Sequence, residues 1–284
     1  MKVYVNVSLL CAGIFFMTSA CSKKNNPSIL ITPPVVDTRT YKLVWSDEFD
    51  YTSLPDPLKW GYETGLVRNN ENQYYTDARI ENAYVGNGVL TIEGRKENYS
   101  GAGYTSASVQ SKGKASWKYG KIEIKAKLPK AVGTWPALWM LGTDYPAVAD
   151  WPMCGEIDIM EAVGKDSNKV FGTMHYGSSY AKHQGKGGNV NSTTIYDDFH
   201  VYAIEWTKDA IKVFFDDNNY FTFNKSDVIV GEQWAFDKNF YLILNLAIGG
   251  NWGGGDNRFP PFGIDDNLFP QKLVIDYVRV YQKS

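Results

Sequence analysis

The chain has 284 residues, 44% of them hydrophobic and 21% charged, a globular balance that excludes a disordered polypeptide. Its 29 basic and 31 acidic residues leave a net charge of −2, so the basic footprint of a nucleic-acid partner is missing. Aromatic residues reach 15% and glycine numbers 26, which leans toward an all-β fold whose aromatics fill a thick core or line a surface that stacks on a flat ligand.

Residues 1–20 carry Lys2, an apolar run from Val3 to Met17, and the small residues Thr18, Ser19 and Ala20, the pattern of a secretory signal. A membrane-spanning helix is the competing reading, but the run is shorter than about 20 residues and includes Asn6 and Ser8. Thr18-Ser19-Ala20-Cys21 resembles the lipobox of bacterial lipoproteins, which implies lipidation of Cys21 and an exported protein held at the outer membrane or cell surface by its lipid alone. An ordinary signal followed by a chance cysteine, giving a periplasmic or secreted protein, is the alternative. Residues 21–40 include Pro27, Pro33 and Pro34 without a clear period and read as a flexible tether. Residues 41–284 remain as one domain, within the size a single β-sandwich reaches.

Period-two patterns run through this domain. Residues 121–128 alternate strictly, with Ile122, Ile124, Ala126 and Leu128 on one face. Val201–Trp206, Ile211–Phe215, Tyr241–Ile248 and Leu273–Tyr281 are rich in β-branched and aromatic residues. Turn clusters such as Gly86-Asn87-Gly88 and Asp216-Asp217-Asn218-Asn219 separate such runs. No segment shows a sustained helical stripe. The predicted fold is an all-β antiparallel sandwich with long loops and one concave outer face.

The most informative segment is Trp151–Gly164, with Glu156, Asp158 and Glu161 set among Ile157, Ile159 and Met160. Pro152, Gly155, Gly164 and the two isoleucines argue for a strand. A strand puts Glu156 and Asp158 on one face, and the odd spacing to Glu161 would turn it to the other. A β-bulge near Met160 restores Glu161 to the face of the other two acids and leaves Ile157 and Ile159 pointing into the core. The backbones of the two glutamates then lie about 13 Å apart. Their side chains can lean together toward the ~5–5.5 Å carboxyl separation of retaining glycosidases. Mutual repulsion and burial raise one carboxyl pKa above its neighbours, as a general acid requires. A solvated polar edge strand is the bland alternative, and the aromatic surroundings argue against it.

Glu156-Ile-Asp-Ile-Met-Glu161 resembles the active-site signature of glycoside hydrolase family 16, in the laminarinase-like branch with the inserted Met. Trp45–Phe49, Asn70–Tyr74, Gly133–Met140, Gly172–His175, Phe199–Trp206, Asn245–Gly250 and Asp276–Tyr281 resemble further family segments, in the family's order. The resemblance implies a β-jelly roll and retaining endo-hydrolysis of β-1,3-glucan or mixed-linkage β-1,3-1,4-glucan, with Glu156 as nucleophile, Glu161 as acid/base and Asp158 tuning the nucleophile. It places Trp135, Trp139 and Trp151 in the cleft, Trp252 at a neighbouring subsite, Asn72 and more weakly Arg79 on the substrate, and His175 beside the acid/base. Trp45, Trp60, Trp117, Trp206 and Trp234 default to core or scaffold. His183 and His200 lack metal-ligand spacing with His175, and His200 reads as structural.

No cofactor is required for this chemistry, but the family often carries a structural cation, for which Glu48, Gly88 and Asp276 match a calcium site. Asp276 is expected on the strand face of Val278 and Val280. Cys154 is the cysteine left in the domain, and carboxylates beside it would raise its pKa, so it reads as a buried small residue. A monomer is expected. Two other functions compete: a red-algal galactan hydrolase of agarase or carrageenase type, for which no specialised basic cluster is evident beside Glu156–Glu161, and a non-catalytic glucan-binding protein, which would lack the catalytic glutamates.

Overall fold

The computed structural model describes residues 40–166, 168–254 and 263–284. The expected signal, Cys21 and the tether up to residue 39 lie outside the described residues.

Two sheets face each other as a sandwich of jelly-roll type. Among the described residues one has ten strands and the other seven. Alternation produces this layering directly. The strand Gly120–Lys127 lies inside the ten-stranded sheet, and its Ile122, Ile124 and Ala126 are fully buried while the intervening residues are not. Ile204, Val278 and Val280 join them from neighbouring strands, and Leu138, Met140, Ile157, Ile159, Leu242 and Leu244 meet them from the seven-stranded sheet in one continuous core. Each such side chain contributes roughly 1.5–3 kcal/mol by leaving water. Trp60, Trp117 and Trp206 are buried in this core, and Trp45 and Trp234 pack against it. Asn87 and Gly88 take positive φ at 56° and 76°, the backbone a tight hairpin needs between Ala83–Gly86 and Val89–Tyr99.

Among the described residues the pairing is antiparallel with one exception: Gln73–Tyr75 runs parallel to Ala102–Ser106. A second departure concerns Asp276. The register slips between Ile275 and Tyr277, so Asp276 and Tyr277 both turn away from the core before Val278 returns to it. Asp276 is therefore not on the face of Val278 and Val280.

In the seven-stranded sheet, Phe240–Ile248 is buried along its whole length. Its even-numbered leucines face the sandwich core, whereas Tyr241 and Ile243 join a second apolar cluster with Ala137, Trp139, Leu141 and Cys154. Ala137, Trp139 and Leu141 of that second cluster line the floor of a cleft on the outer face of the sheet.

The acid strand Glu156–Glu161 lies between Thr134–Gly142 and Lys169–Tyr176 in this sheet. Its register slips between Asp158 and Met160 against the first neighbour, so Ile159 and Met160 are both fully buried in the core. Replacing Met160 with Ala is expected to cost about 2–5 kcal/mol. Urea denaturation should show the loss, and activity should fall as well because the same bulge aims Glu161.

Candidate active site

Gly155 has φ +73°, and a Cβ there would lie 2.9 Å from Phe240 Cζ, so glycine is needed for the chain to enter the acid strand. The bulge then brings Glu156, Asp158 and Glu161 to one wall of a cleft of about 740 Å³. Trp135, Trp139, Trp151, His175 and Trp252 line the same cleft, together with Glu63, Arg68, Phe171, Tyr180, His183 and Asn245. The bulge expected from the counting of side chains is present, and the four tryptophans assigned to the cleft are in it.

Each glutamate receives an indole hydrogen bond. Trp151 Nε1 donates to Glu156 Oε2 at 3.0 Å, and Trp135 Nε1 donates to Glu161 Oε1 at 2.9 Å. Asp158, between them, is almost fully buried. His175 pairs in register with Glu156 from the adjacent strand. Its Nε2 stands 3.1 Å from Asp158 Oδ2 and 3.8 Å from Glu156 Oε1. Ligand atoms of Glu156, Asp158 and His175 lie within 4.8 Å of one another, a spacing that resembles a cation site. The imidazole itself supplies the positive charge: burial opposes its protonation, but the contact with Asp158 and the charges of Asp158, Glu156 and Glu161 prevail and push its pKa up to about 9.

Burial and the Asp158 charge raise the pKa of Glu156 to about 7, against the pull of His175, Arg68 and the Trp151 hydrogen bond. Burial and Asp158 also hold Glu161 well above the ordinary carboxylate range, and the Trp135 bond offsets only part of this. Both glutamates are thus held above the ordinary carboxylate range, and Glu156 has the His175 imidazole beside it as a counterweight. Burial pushes the Cys154 thiol up to about 12, with Glu156 and Asp144 adding to the effect, so this residue is a small buried side chain and no nucleophile.

The cleft floor is braced from behind. Trp139 Nε1 donates to Asn245 Oδ1 at 2.7 Å, Asn245 Nδ2 donates to Tyr75 Oη at 3.0 Å, and Tyr75 Oη donates to Glu71 Oε2 at 3.1 Å. The Arg68 guanidinium lies 5.0 Å from the Trp139 ring centroid and pairs with Glu63. Trp252, from the short helical turn Gly250–Gly253, meets Trp135 edge-to-face at 5.4 Å and Phe171 at 5.1 Å.

Two expected substrate contacts are placed elsewhere. Asn72 is not on the cleft wall; its Oδ1 accepts from Gly250 N at 3.2 Å and its own N donates to Ile248 O at 2.8 Å, which ties its loop to the turn that carries Trp252. Arg79 is held away by a fork to Glu97, at 2.7 and 3.2 Å, and pairs with Glu81. Arg68 and His183 are cleft residues that the sequence reading passed over. Arg68 stands four positions before Asn72 in the same loop, and the spacing of His183 from His175, which marks no metal site, gives no sign that the two rings meet. His200 bonds Asp216 at 2.9 Å and Thr194 at 3.0 Å, a structural role as expected.

The calcium candidates belong to the other sheet. Glu48 forms a two-point pair with Arg279 at 3.0 and 2.8 Å, and Lys125 Nζ lies 2.6 Å from Asp276 Oδ2. Both carboxylates thus have a counter-charge from the protein. What the set could give a calcium ion is hard oxygen chemistry, the backbone oxygens of Glu48 and Gly88 with a carboxylate oxygen of Asp276.

Comparison with known proteins agrees with this geometry. The model of "Glycosyl hydrolases family 16" matches residues 70–277. A beta-glucanase of Rhodothermus marinus is 51% identical over 251 residues, covering 85% of each chain. The structure of a laminarinase from Rhodothermus marinus superposes with a TM-score of 0.80 at 48% identity, covering 87% of this chain and 99% of that one. A non-specific endo-beta-1,3(4)-glucanase, SCLam, superposes with a TM-score of 0.78 at 42% identity, covering 86% and 92%. With the family match spanning the acid strand, its two neighbours and the Trp252 turn, the chain belongs to glycosyl hydrolase family 16.

Proposed function

We propose that this chain is a retaining endo-hydrolase of β-1,3-glucosidic linkages, acting on laminarin-type or mixed-linkage β-1,3-1,4-glucan. The observation that carries the reading is two glutamates on one cleft wall in different surroundings, Glu156 beside the His175 imidazole at 3.8 Å and Glu161 under the Trp135 indole. Such a difference assigns an acid and a nucleophile. The glucan-cleaving relatives named above support the choice of sugar and linkage.

The cycle uses only residues of the cleft. Protonated Glu161 gives its proton to the glycosidic oxygen as the bond to the anomeric carbon breaks. Ionised Glu156 bonds to that carbon, forming the glycosyl-enzyme. Glu161, now a carboxylate, takes a proton from water, which attacks the anomeric carbon and releases Glu156. Two inversions leave the β configuration. Asp158 and the His175 imidazolium sit against Glu156 and balance the charge that moves on and off it. The flat faces of Trp135, Trp139, Trp151 and Trp252 suit the C–H faces of sugar rings.

Product analysis on laminarin, barley β-glucan, lichenan, agarose and carrageenan tests the substrate. Oligosaccharides of retained β configuration from the first three are expected. Inactivity on all three sinks the proposal: cleavage of agarose or carrageenan would then point to a galactan hydrolase, and tight glucan binding without cleavage to a binding protein. Glu156→Gln and Glu161→Gln should each lower kcat about 10²–10⁴-fold without loss of fold. The acid limb of kcat/KM should lie above the ordinary carboxylate value of 4.5, toward 7, because activity appears as Glu156 loses its proton. The basic limb follows deprotonation of Glu161.

The same burial has a stability consequence. The folded protein holds a proton on Glu161 where the unfolded chain does not, so stability falls as pH rises from the ordinary value of 4.5 to the elevated folded one. Glu161→Gln removes this dependence on ionisation and should raise Tm at pH 8 relative to the parent, with a smaller difference at pH 4.

A structural calcium at Glu48, Gly88 and Asp276 is a further part of this reading. It requires Asp276 to exchange Lys125 for the ion. Calcium added to chelator-treated protein should raise Tm; an unchanged Tm would refute it. Lipid attachment at Cys21 rests on the lipobox-like segment. Labelling with a radioactive fatty acid should be abolished by Cys21→Ser, and absence of label in the parent chain would remove the anchor.

A further inference from the structure

Tyr180–Lys182 forms one turn of 3-10 helix that delivers His183 to the cleft. His183 Nε2 lies 2.7 Å from His175 Nδ1. The two rings lie edge to edge with centroids 5.0 Å apart and planes at 25°, and the Trp151 ring lies 4.5 Å from His183. On the neighbouring strand the register partner of His175 is Gly185, which offers that nitrogen no side chain.

Two ring nitrogens at hydrogen-bond distance hold a single hydrogen between them, so one histidine donates and the other accepts. The surroundings decide which. Glu156, Asp158 and Glu161 face His175 from the acid strand and favour its positive charge. Against His183 the charged group is His175 itself, and burial together with that charge lowers the His183 pKa. His175 Nε2, between two carboxylates, must carry a hydrogen, because an ionised carboxylate only accepts.

We infer that His183 is a positioning residue: it stays neutral with its hydrogen on Nδ1, and its Nε2 accepts from His175 Nδ1–H, which pins the imidazolium with Nε2–H aimed at Asp158 and Glu156. The role rests on the reading of Glu156 as nucleophile. With the acceptor gone, the His175 ring is free to turn, its charge no longer stands fixed against Glu156, and Glu156 holds its proton to higher pH.

Two measurements on the full chain test this. In ¹⁵N-histidine NMR of the resting protein at pH 7, His175 should show two protonated nitrogens and His183 one, at Nδ1. A doubly protonated His183, or one carrying its hydrogen on Nε2, overturns the assignment whatever the enzyme cleaves, so this arm fails separately from the glucanase reading. In kinetics, His183→Ala should move the acid limb of kcat/KM upward by about one pH unit, a tenfold change in the ionised fraction on that limb. His183→Gln, whose side-chain oxygen can accept from Nδ1–H, should return the limb toward the parent position. An unmoved limb in His183→Ala, or a loss of rate equal at all pH values and not restored by His183→Gln, refutes the role.

Discussion

Glu156, Asp158 and Glu161 occupy one wall of a cleft within a single six-residue strand, and a carboxylate taken from water without a partner is costly. Much of the surrounding structure answers that constraint. His175 brings positive charge from the next strand, and two tryptophans turn their indole N–H groups onto the two glutamates. The compensation is unequal: among the described residues His175 stands 3.8 Å from Glu156, while Glu161 receives the Trp135 indole and is held well above the ordinary carboxylate range. In the proposed cycle, this difference in surroundings between two chemically identical side chains is what separates donor from nucleophile.

The bulge makes this arrangement compatible with folding. Without it, Glu161 would point into a core built from Ile157, Ile159 and Met160, where a carboxyl has no partner. With it, one strand serves the core with consecutive residues at Ile159 and Met160 and serves the cleft with three acids. The neighbouring strand Thr134–Gly142 is split in the same way, with Leu138 and Met140 inward and Trp135, Ala137 and Trp139 outward.

Much of this was legible in the chain because it depends on local periodicity. Strict alternation marks Gly120–Lys127, and the odd interval from Glu156 to Glu161 among isoleucines demands a bulge. What escaped depends on pairings distant in sequence or on irregular register. Arg79 was offered to substrate, but Glu97, eighteen residues on, claims its guanidinium. Asn72 was expected on the ligand and instead braces the Gly249–Gly250 turn, because its loop folds back on a segment far along the chain. Asp276 follows a register slip that no alternation announces. His183 was tested against the spacing rules of metal ligands, which do not describe one imidazole holding another.

The strand Phe240–Ile248 is buried on both faces: sandwich core lies against one, and Asn245 and Ala247 on the other line the cleft. Packing and recognition are therefore superimposed on the same backbone, and a change that reshapes the floor also disturbs the core beneath it. Divergence in what such a cleft accepts is confined by this geometry to its rims, where Tyr180 and the Trp252 turn can be exchanged without reopening the interior. The floor is inherited as a unit, and the rims are where a new specificity can arise.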